Sequence, residues 1–263
     1  MPAKENPLKR ALQGDRMLTG CWLTMGDPMA TDIAASAGFD WCLIDGEHGP
    51  FDVRTIRTQL MILAGRGMPA IVRVPAQDDW IIKQVMDAGA NAILVPMVDT
   101  AHQAKAVVRA TRYPPVGAPE GGTRGIAGFL APVSDYGAIA DYVTTANDQI
   151  CVIAQIESAQ ALENIEDIAA VPGIDALFIG PGDLLASLGR LDQQSTLAGK
   201  SVIADAIARI RAAGTRAGML SFDPVEIETY RSMGVNLLAV AGDVTAMATR
   251  LRELAQLGKG GAQ

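Results

Sequence analysis

Short apolar runs alternate along this chain with longer amphipathic segments, and that alternation limits its fold more than any other feature. The apolar runs lie at 20–24, 41–44, 70–74, 92–95, 151–156, 176–179, 216–220 and 237–240. Each has strand length and few polar residues. Between them, apolar residues recur at helical spacing over 31–37, 53–64, 79–88, 101–111, 159–169, 202–213, 225–233 and 244–257. Gly38, Gly65, Gly89, Gly214 and Gly234 stand where a left-handed residue would close a helix before the next strand. Eight strand-then-helix units in 263 residues predict a (β/α)8 barrel, one domain over 1–263. On periodicity alone, a doubly wound parallel sheet is the alternative.

Composition supports the helix-covered sheet. The chain is 49% hydrophobic but only 5% aromatic, so its core must be built of Ala, Val, Ile, Leu and Met. A net charge of −7 without any run of Lys or Arg argues against nucleic acid or an anionic membrane surface as partner. No apolar stretch approaches the roughly 18 residues that span a bilayer. The N-terminal MPAKENPLKR lacks a signal-peptide core. A cytoplasmic protein is expected. Cys21, Cys42 and Cys151 have no ligand-like spacing and read as buried, inert thiols. The segment 112–136, RYPPVGAPEGGTRGIAGFLAPVSDY, is too long and too rich in Pro and Gly for an ordinary connection. It reads as a functional loop or lid, with a tolerated insertion as the alternative. The tail from about 258, GKGGAQ, is expected to be disordered.

In such a barrel, functional groups gather at the C-terminal strand ends. Strand 2 ends in LIDGEHGP, with Asp45, Glu47 and His48; strand 3 ends in Arg73; strand 5 carries Gln155 and Glu157; strand 6 runs into GPGDL. Glu157 and Asp183 on neighbouring strand ends would repel if both were buried and ionised, which a divalent cation between them would relieve. Oxygen-only ligands favour Mg2+ or Mn2+. Helix capping is the alternative for each carboxylate. Arg73 could orient an anionic substrate and stabilise a developing enolate, or make a structural ion pair with Asp45 or Glu47. His48 is the candidate acid or base, whereas His102 reads as solvated. None of the lysines at 4, 9, 83, 105, 200 and 259 falls in an expected strand, which argues against Schiff-base chemistry. No dinucleotide fingerprint follows the first strand.

The stretches FDWCLIDGEHGP, IVRVP, NAILVPMVDT, RATRYPP, AQIES and LFIGPGDL, in this order, resemble the HpcH/HpaI aldolase family over nearly the whole chain. The resemblance implies a metal-dependent class II aldolase on a (β/α)8 barrel, cleaving 2-oxo-4-hydroxy acids reversibly to pyruvate, or hydroxypyruvate, and an aldehyde. It implies one Mg2+, Mn2+ or Co2+ per subunit, no organic cofactor, and a homo-oligomer, often a hexamer built as a trimer of dimers with the last helix exchanged. By resemblance His48 is the base, Arg73 the transition-state arginine, and Glu157 and Asp183 the metal ligands. Gln155 contacts substrate, and a backbone amide at Gly182 holds the pyruvate carboxylate, with Gly180, Pro181, Asp183 and Leu220 beside it. Asp87 matches an acid that raises the histidine's basicity, within its own subunit or across a subunit contact; Asp45 could share that role. Two departures stand out. The loop after RYPP is longer, and Ala131-Pro132 stands where relatives that take acidic aldehydes can offer an arginine. A neutral aldehyde is therefore expected. A CoA-thioester lyase and a non-catalytic barrel module are the alternative functions.

Overall fold

The computed structural model describes residues 1–115 and 121–259. The middle of the 112–136 loop and most of the expected tail lie outside these residues. Eight strands form a closed, all-parallel barrel in chain order, with β1 and β8 pairing to complete it. They are β1 (Leu18–Leu23), β2 (Trp41–Asp45), β3 (Ala70–Arg73), β4 (Ala92–Val95), β5 (Cys151–Ile156), β6 (Ala176–Ile179), β7 (Arg216–Leu220) and β8 (Leu237–Gly242). The helices are α1 (Pro7–Ala11), α2 (Pro28–Ala35), α3 (Val53–Gly65), α4 (Asp79–Asp87), α5 (Ala101–Thr111), α6 (Tyr142–Thr145), α7 (Ala159–Glu163), α8 (Ile165–Ala169), α9 (Pro181–Ser187), α10 (Leu197–Ala212), α11 (Pro224–Ser232) and α12 (Asp243–Gly258).

The strand period of two divides the core into two layers. One parity faces inward: Leu18, Trp41, Leu43, Ile71, Leu94, Ile153, Phe178 and Leu237 fill the barrel. The other, including Ile44, Val72, Ile93, Val152, Leu177 and Leu238, packs under the helices. Room for the large rings inside comes from two glycines. A Cβ on Gly20 would stand 2.2 Å from the Trp41 ring, and one on Gly218 would stand 2.4 Å from Phe178. Cys21, Cys42 and Cys151 are buried free thiols, and burial pushes Cys21 and Cys42 up to about 12.

Several expectations are corrected. The helix expected over 159–169 breaks into α7 and α8 at Asn164, whose side chain donates to Asp99 O at 2.8 Å instead of facing solvent. Helix α10 starts at Leu197, five residues early, because the Thr196 hydroxyl accepts from Gly199 N. Gly65 remains helical, and Gly67, at φ 67°, takes the left-handed turn. The short helix α1 was not expected from the polar N-terminus. Asn6 caps it and also donates to Asn91 O and Gln149 O, placing Leu8 and Leu12 against the barrel floor. Leu8 is 1% exposed, so Leu8→Ala should cost about 2–4 kcal/mol, read as a lower urea midpoint at unchanged slope. A cost under about 1 kcal/mol would show that α1 does not seal the barrel.

Helix α12 differs from the other long helices, for none of its residues is buried. Val244, Met247, Leu251 and Leu254 recur at spacings of three and four and remain exposed. Among the described residues, no helix is long and apolar enough to cross a membrane.

Candidate active site

The inward rows that fill the barrel with apolar side chains end, one step further along, in polar groups. Asp45, Arg73, Gln155 and Glu157 continue the inward parity of β2, β3 and β5, and all four are buried. A cleft of about 330 Å³ opens above them, lined by Trp22, Arg73, Gln155, Gly180 and Asp183 on one side and by Leu220 and Phe222 on another.

Arg73 is held from three directions. Its Nε and Nη2 donate to Asp45 Oδ1 and Oδ2 at 2.9 and 2.6 Å, a bidentate fork. Its guanidinium lies 4.9 Å from the Trp22 ring centroid, and Trp22 Nε1 donates to Asp45 Oδ2 at 3.0 Å. Glu47 Oε2 lies 2.8 Å from Nη1, close enough for an ion pair, yet it makes no well-angled hydrogen bond. Arg73 thus does form the structural ion pairs considered from sequence, and it lines the cleft as well. Burial alone would raise the Asp45 carboxyl. The Arg73 fork, its charge and the Trp22 donor outweigh burial and hold it below the usual carboxylate range.

Asp45 Oδ1 also accepts from the backbone N–H groups of Glu47 and His48. Its hold on His48 is therefore on the backbone, while the ring is 67% exposed, outside the residues that line the cleft, with Nε2 4.0 Å from Glu47 Oε2. Asp87 is placed elsewhere. Its carboxylate accepts from Arg124 Nη2 at 2.8 Å, and it lines a separate groove with Ala131 and Pro132. Arg124 is buried and its guanidinium stacks 4.4 Å from the Tyr113 ring centroid, so it does not face the cleft. His102 is exposed.

Neither member of the acidic pair is a helix cap. Ser158 caps α7, and Gly180 at the N-cap of α9 contributes no side chain. Glu157 is 3% exposed and accepts from Met97 N at 2.7 Å through Oε1. Met97 reaches it by adopting φ 54°, a left-handed conformation that costs a side-chain-bearing residue about 1 kcal/mol or more. Glu157 Oε2 points at Gly180, where a Cβ would stand only 2.7 Å away. Burial, opposed by the Met97 N–H and reinforced by the charges of Glu47 and Asp183, pushes Glu157 up to about 7. Burial likewise raises Glu47, against the pull of Arg73. Gln155 Oε1 is buried without a hydrogen-bond partner among the described residues.

These features fit a divalent cation. Asp183 lines the cleft, Glu157 lies buried beside it, and burial reinforced by the charges of Glu47 and Asp183 pushes Glu157 toward protonation. Among the described residues no group of three His, Cys, Asp or Glu forms a closed cage. Few protein ligands, with further positions for water and substrate, suit Mg2+ or Mn2+. Glycine at 180 keeps the space beside Glu157 open, and Gly182 has no atom within 4 Å of a would-be Cβ. The first-turn N–H groups of α9 therefore face the cleft without a capping side chain. Trp22, Met97 and Asp243, whose carboxylate accepts from Thr24 N and Met25 N to tie β8 to β1, escaped the sequence reading. Inward parity on β1 could have pointed to Trp22; a backbone amide such as that of Met97 leaves no residue-type signal.

Fold and site define a barrel enzyme with an acidic, arginine-bearing mouth. The chain belongs to the HpcH/HpaI aldolase/citrate lyase family, whose model matches residues 18–249. It is 45% identical over 253 residues to a hydroxypyruvate/pyruvate aldolase of Roseovarius nubinhibens, covering 96% of each chain. It is 43% identical to a 2-keto-3-deoxy-L-rhamnonate aldolase of Klebsiella pneumoniae, covering 90% of this chain and 87% of that one. A crystal structure of a family member from Burkholderia cenocepacia superposes with a TM-score of 0.91 at 38% identity, over 97% of this chain and 100% of that one. The chain is a carbon–carbon lyase of the aldolase type.

Proposed function

We propose that this aldolase cleaves and forms 2-oxo-4-hydroxy acids, exchanging them with pyruvate or hydroxypyruvate and an aldehyde, and that it needs a divalent metal. The observation that carries the reading is one cleft lined by Asp183, Arg73 and Gln155, with Glu157 buried near enough to feel the charge of Asp183, and with no lysine lining it among the described residues. Glu157 and Asp183 would hold the cation, which would supply positive charge to stabilise the enolate of the 2-oxo acid. Gln155 and the N–H groups at Gly182 and Asp183 orient that end of the substrate. In cleavage, His48 takes the proton of the C4 hydroxyl, the C3–C4 bond breaks, and its electron pair enters the enolate of the 2-oxo acid. Arg73 faces the enolate oxygen with its charge already oriented by Asp45, so little reorganisation accompanies the reaction. A proton delivered to C3 then completes pyruvate. Asp45 and Glu47 position Arg73. On the resemblance, Asp87 serves a histidine across a subunit boundary, and its exposed side on the Ala131–Pro132 groove is compatible with that.

Chelator-treated protein should lose aldol cleavage and regain it with Mg2+ or Mn2+. Borohydride added with pyruvate should leave the protein mass unchanged. Full activity in excess chelator, or a lysine adduct, defeats the reading. A CoA-thioester substrate would need cations for its phosphates, and Arg73, already paired, is the one cation lining the cleft among the described residues. The exposed apolar stripe of α12 supports a homo-oligomer in which a partner covers it; light scattering should give a mass of several chains. Buried free thiols suit a cytoplasmic enzyme.

A further inference from the structure

Glu157 owes its orientation to a turn that packing alone does not determine. Pro96 and Val98, on either side of Met97, are buried, whereas the Met97 side chain is 45% exposed. The buried neighbours fix where the connection from β4 to α5 runs. They leave open which way the peptide groups at Met97 point, since a rigid peptide plane can rotate about its two soft dihedrals between fixed neighbours. A residue with a side chain ordinarily avoids the left-handed region, so the φ of 54° at Met97 needs something to hold it.

Hydrogen bonds hold it. Met97 N donates to Glu157 Oε1 at 2.7 Å. The carbonyls of Pro96 and Met97 both accept from the Gln77 amide, whose Nε2 stands 3.2 and 2.6 Å away. Both partners are carbonyl oxygens, so only the NH2 end of that amide can serve, and both of its donors are engaged here. Further along, Asp99 N donates to Gln103 Oε1 and Asp99 O accepts from Asn164 Nδ2, each at 2.8 Å, so the far arm of the connection is anchored separately. Gln77 is the tie at the Met97 end. It lies in the connection from β3 to α4, four residues after Arg73, and does not itself line the cleft. Any influence on the site must therefore pass through Met97.

We propose that Gln77 is a positioning residue for Glu157: by holding the carbonyls of Pro96 and Met97 it turns the Met97 N–H onto Oε1 and leaves Oε2, beside Gly180, for a divalent cation. The inference rests on the metal-dependent reading above. A carboxylate oriented in advance loses less freedom when it takes up a ligand. Groups that orient metal ligands typically matter by roughly 10–100-fold in affinity. Gln77 acts one step further out, through a single amide, so a loss of about five-fold or more is expected, the worth of one hydrogen bond.

The test is Mn2+ binding to the metal-free protein, read as free Mn2+ by electron paramagnetic resonance, for the parent and for Gln77→Met. Methionine keeps the length of the side chain and removes both donors, and the half-buried loop position should tolerate it. The variant should bind Mn2+ about five-fold or more weakly. Its aldol activity should need correspondingly more Mn2+ for half-activation, while kcat at saturating Mn2+ stays within about two-fold of the parent. A purely structural role would lower the melting temperature and leave the Mn2+ affinity of the folded protein as it was. Hydrogen exchange gives a reading independent of metal and of activity: the 15N-labelled Met97 amide should exchange faster in the variant. Unchanged Mn2+ affinity, or unchanged exchange at Met97, in folded Gln77→Met overturns the proposal and leaves the aldolase reading standing. A parent that binds neither Mn2+ nor Mg2+ removes the metal on which both rest.

Discussion

Arg73→Ala is expected to lower both aldol cleavage and pyruvate C3 exchange by on the order of 10²-fold or more, while His48→Ala lowers cleavage far more than exchange. On the proposed mechanism every reaction of the pyruvate half passes through the enolate, and Arg73 is the guanidinium that lines the cleft. Removing one preorganised charge partner of this kind costs roughly 10²–10³ in rate. On the same mechanism His48 handles the aldehyde-side oxygen, which matters only when the carbon–carbon bond forms or breaks. Arg73→Ala also strands two buried or half-buried carboxylates, Asp45 and Glu47, so its folding needs a separate check by thermal unfolding. Arg73→Lys provides a second variant. It keeps the charge but cannot reproduce the two-pronged bond to Asp45, and should recover part of the stability and little of the rate. NMR of deuterium entering pyruvate, run beside a cleavage assay, reads both activities. Normal cleavage by the His48 variant, or normal exchange by the Arg73 variant, would reverse the roles.

Glu157→Gln should abolish aldol activity and yet stabilise the metal-free protein at pH 8. Burial and the nearby charges of Glu47 and Asp183 raise Glu157 to about 7 from an ordinary value of 4.5. A carboxyl raised in the folded state binds its proton more tightly folded than unfolded. Stability of the metal-free parent should therefore rise as pH falls from 8 through 7 toward 4.5, by at most on the order of 3 kcal/mol. At pH 8 the folded state bears the whole cost of the charge, and the amide removes it. The variant should melt higher than the parent at pH 8 and show a flatter dependence between pH 8 and 5. Some slope should remain, because Glu47 is raised in the same direction. Asp45 acts oppositely, its contribution being lost only as pH falls below the usual carboxylate range. If Glu157→Gln instead lowers the melting point of the chelator-treated protein at pH 8, Glu157 is not held above its ordinary value by burial and its neighbours' charges. Stability stored against the cation in this way would return on metal binding, which couples loading of the site to folding.

Much of this was legible in the sequence because it depends on local period. Alternation of two in strands and 3.6 in helices is set by backbone geometry. It identified all eight strands to within two residues, most helices, and the inward parity that carries Asp45, Arg73, Gln155 and Glu157 to one face. The strand ends could be named as a site before any contact was known, since several costly polar groups ended apolar rows at the same end.

What only the tertiary structure decided are relations between residues distant along the chain. Trp22 stacks on Arg73 and donates to Asp45; Met97 twists into a left-handed turn to give its N–H to Glu157; Asp243 fills the end of α12 and ties it to β1. Asp87 and Ala131-Pro132, placed near the chemistry by resemblance, share a groove apart from the cleft. Helix α1 closes the barrel floor although it lies in a polar N-terminal segment, and α12 carries an apolar stripe that nothing among the described residues covers. Periodicity reports which way a side chain points from its own strand or helix. Whether a charge there is paired, desolvated or strained depends on what the fold brings within a few ångströms of it, and those distances arise only when the barrel closes.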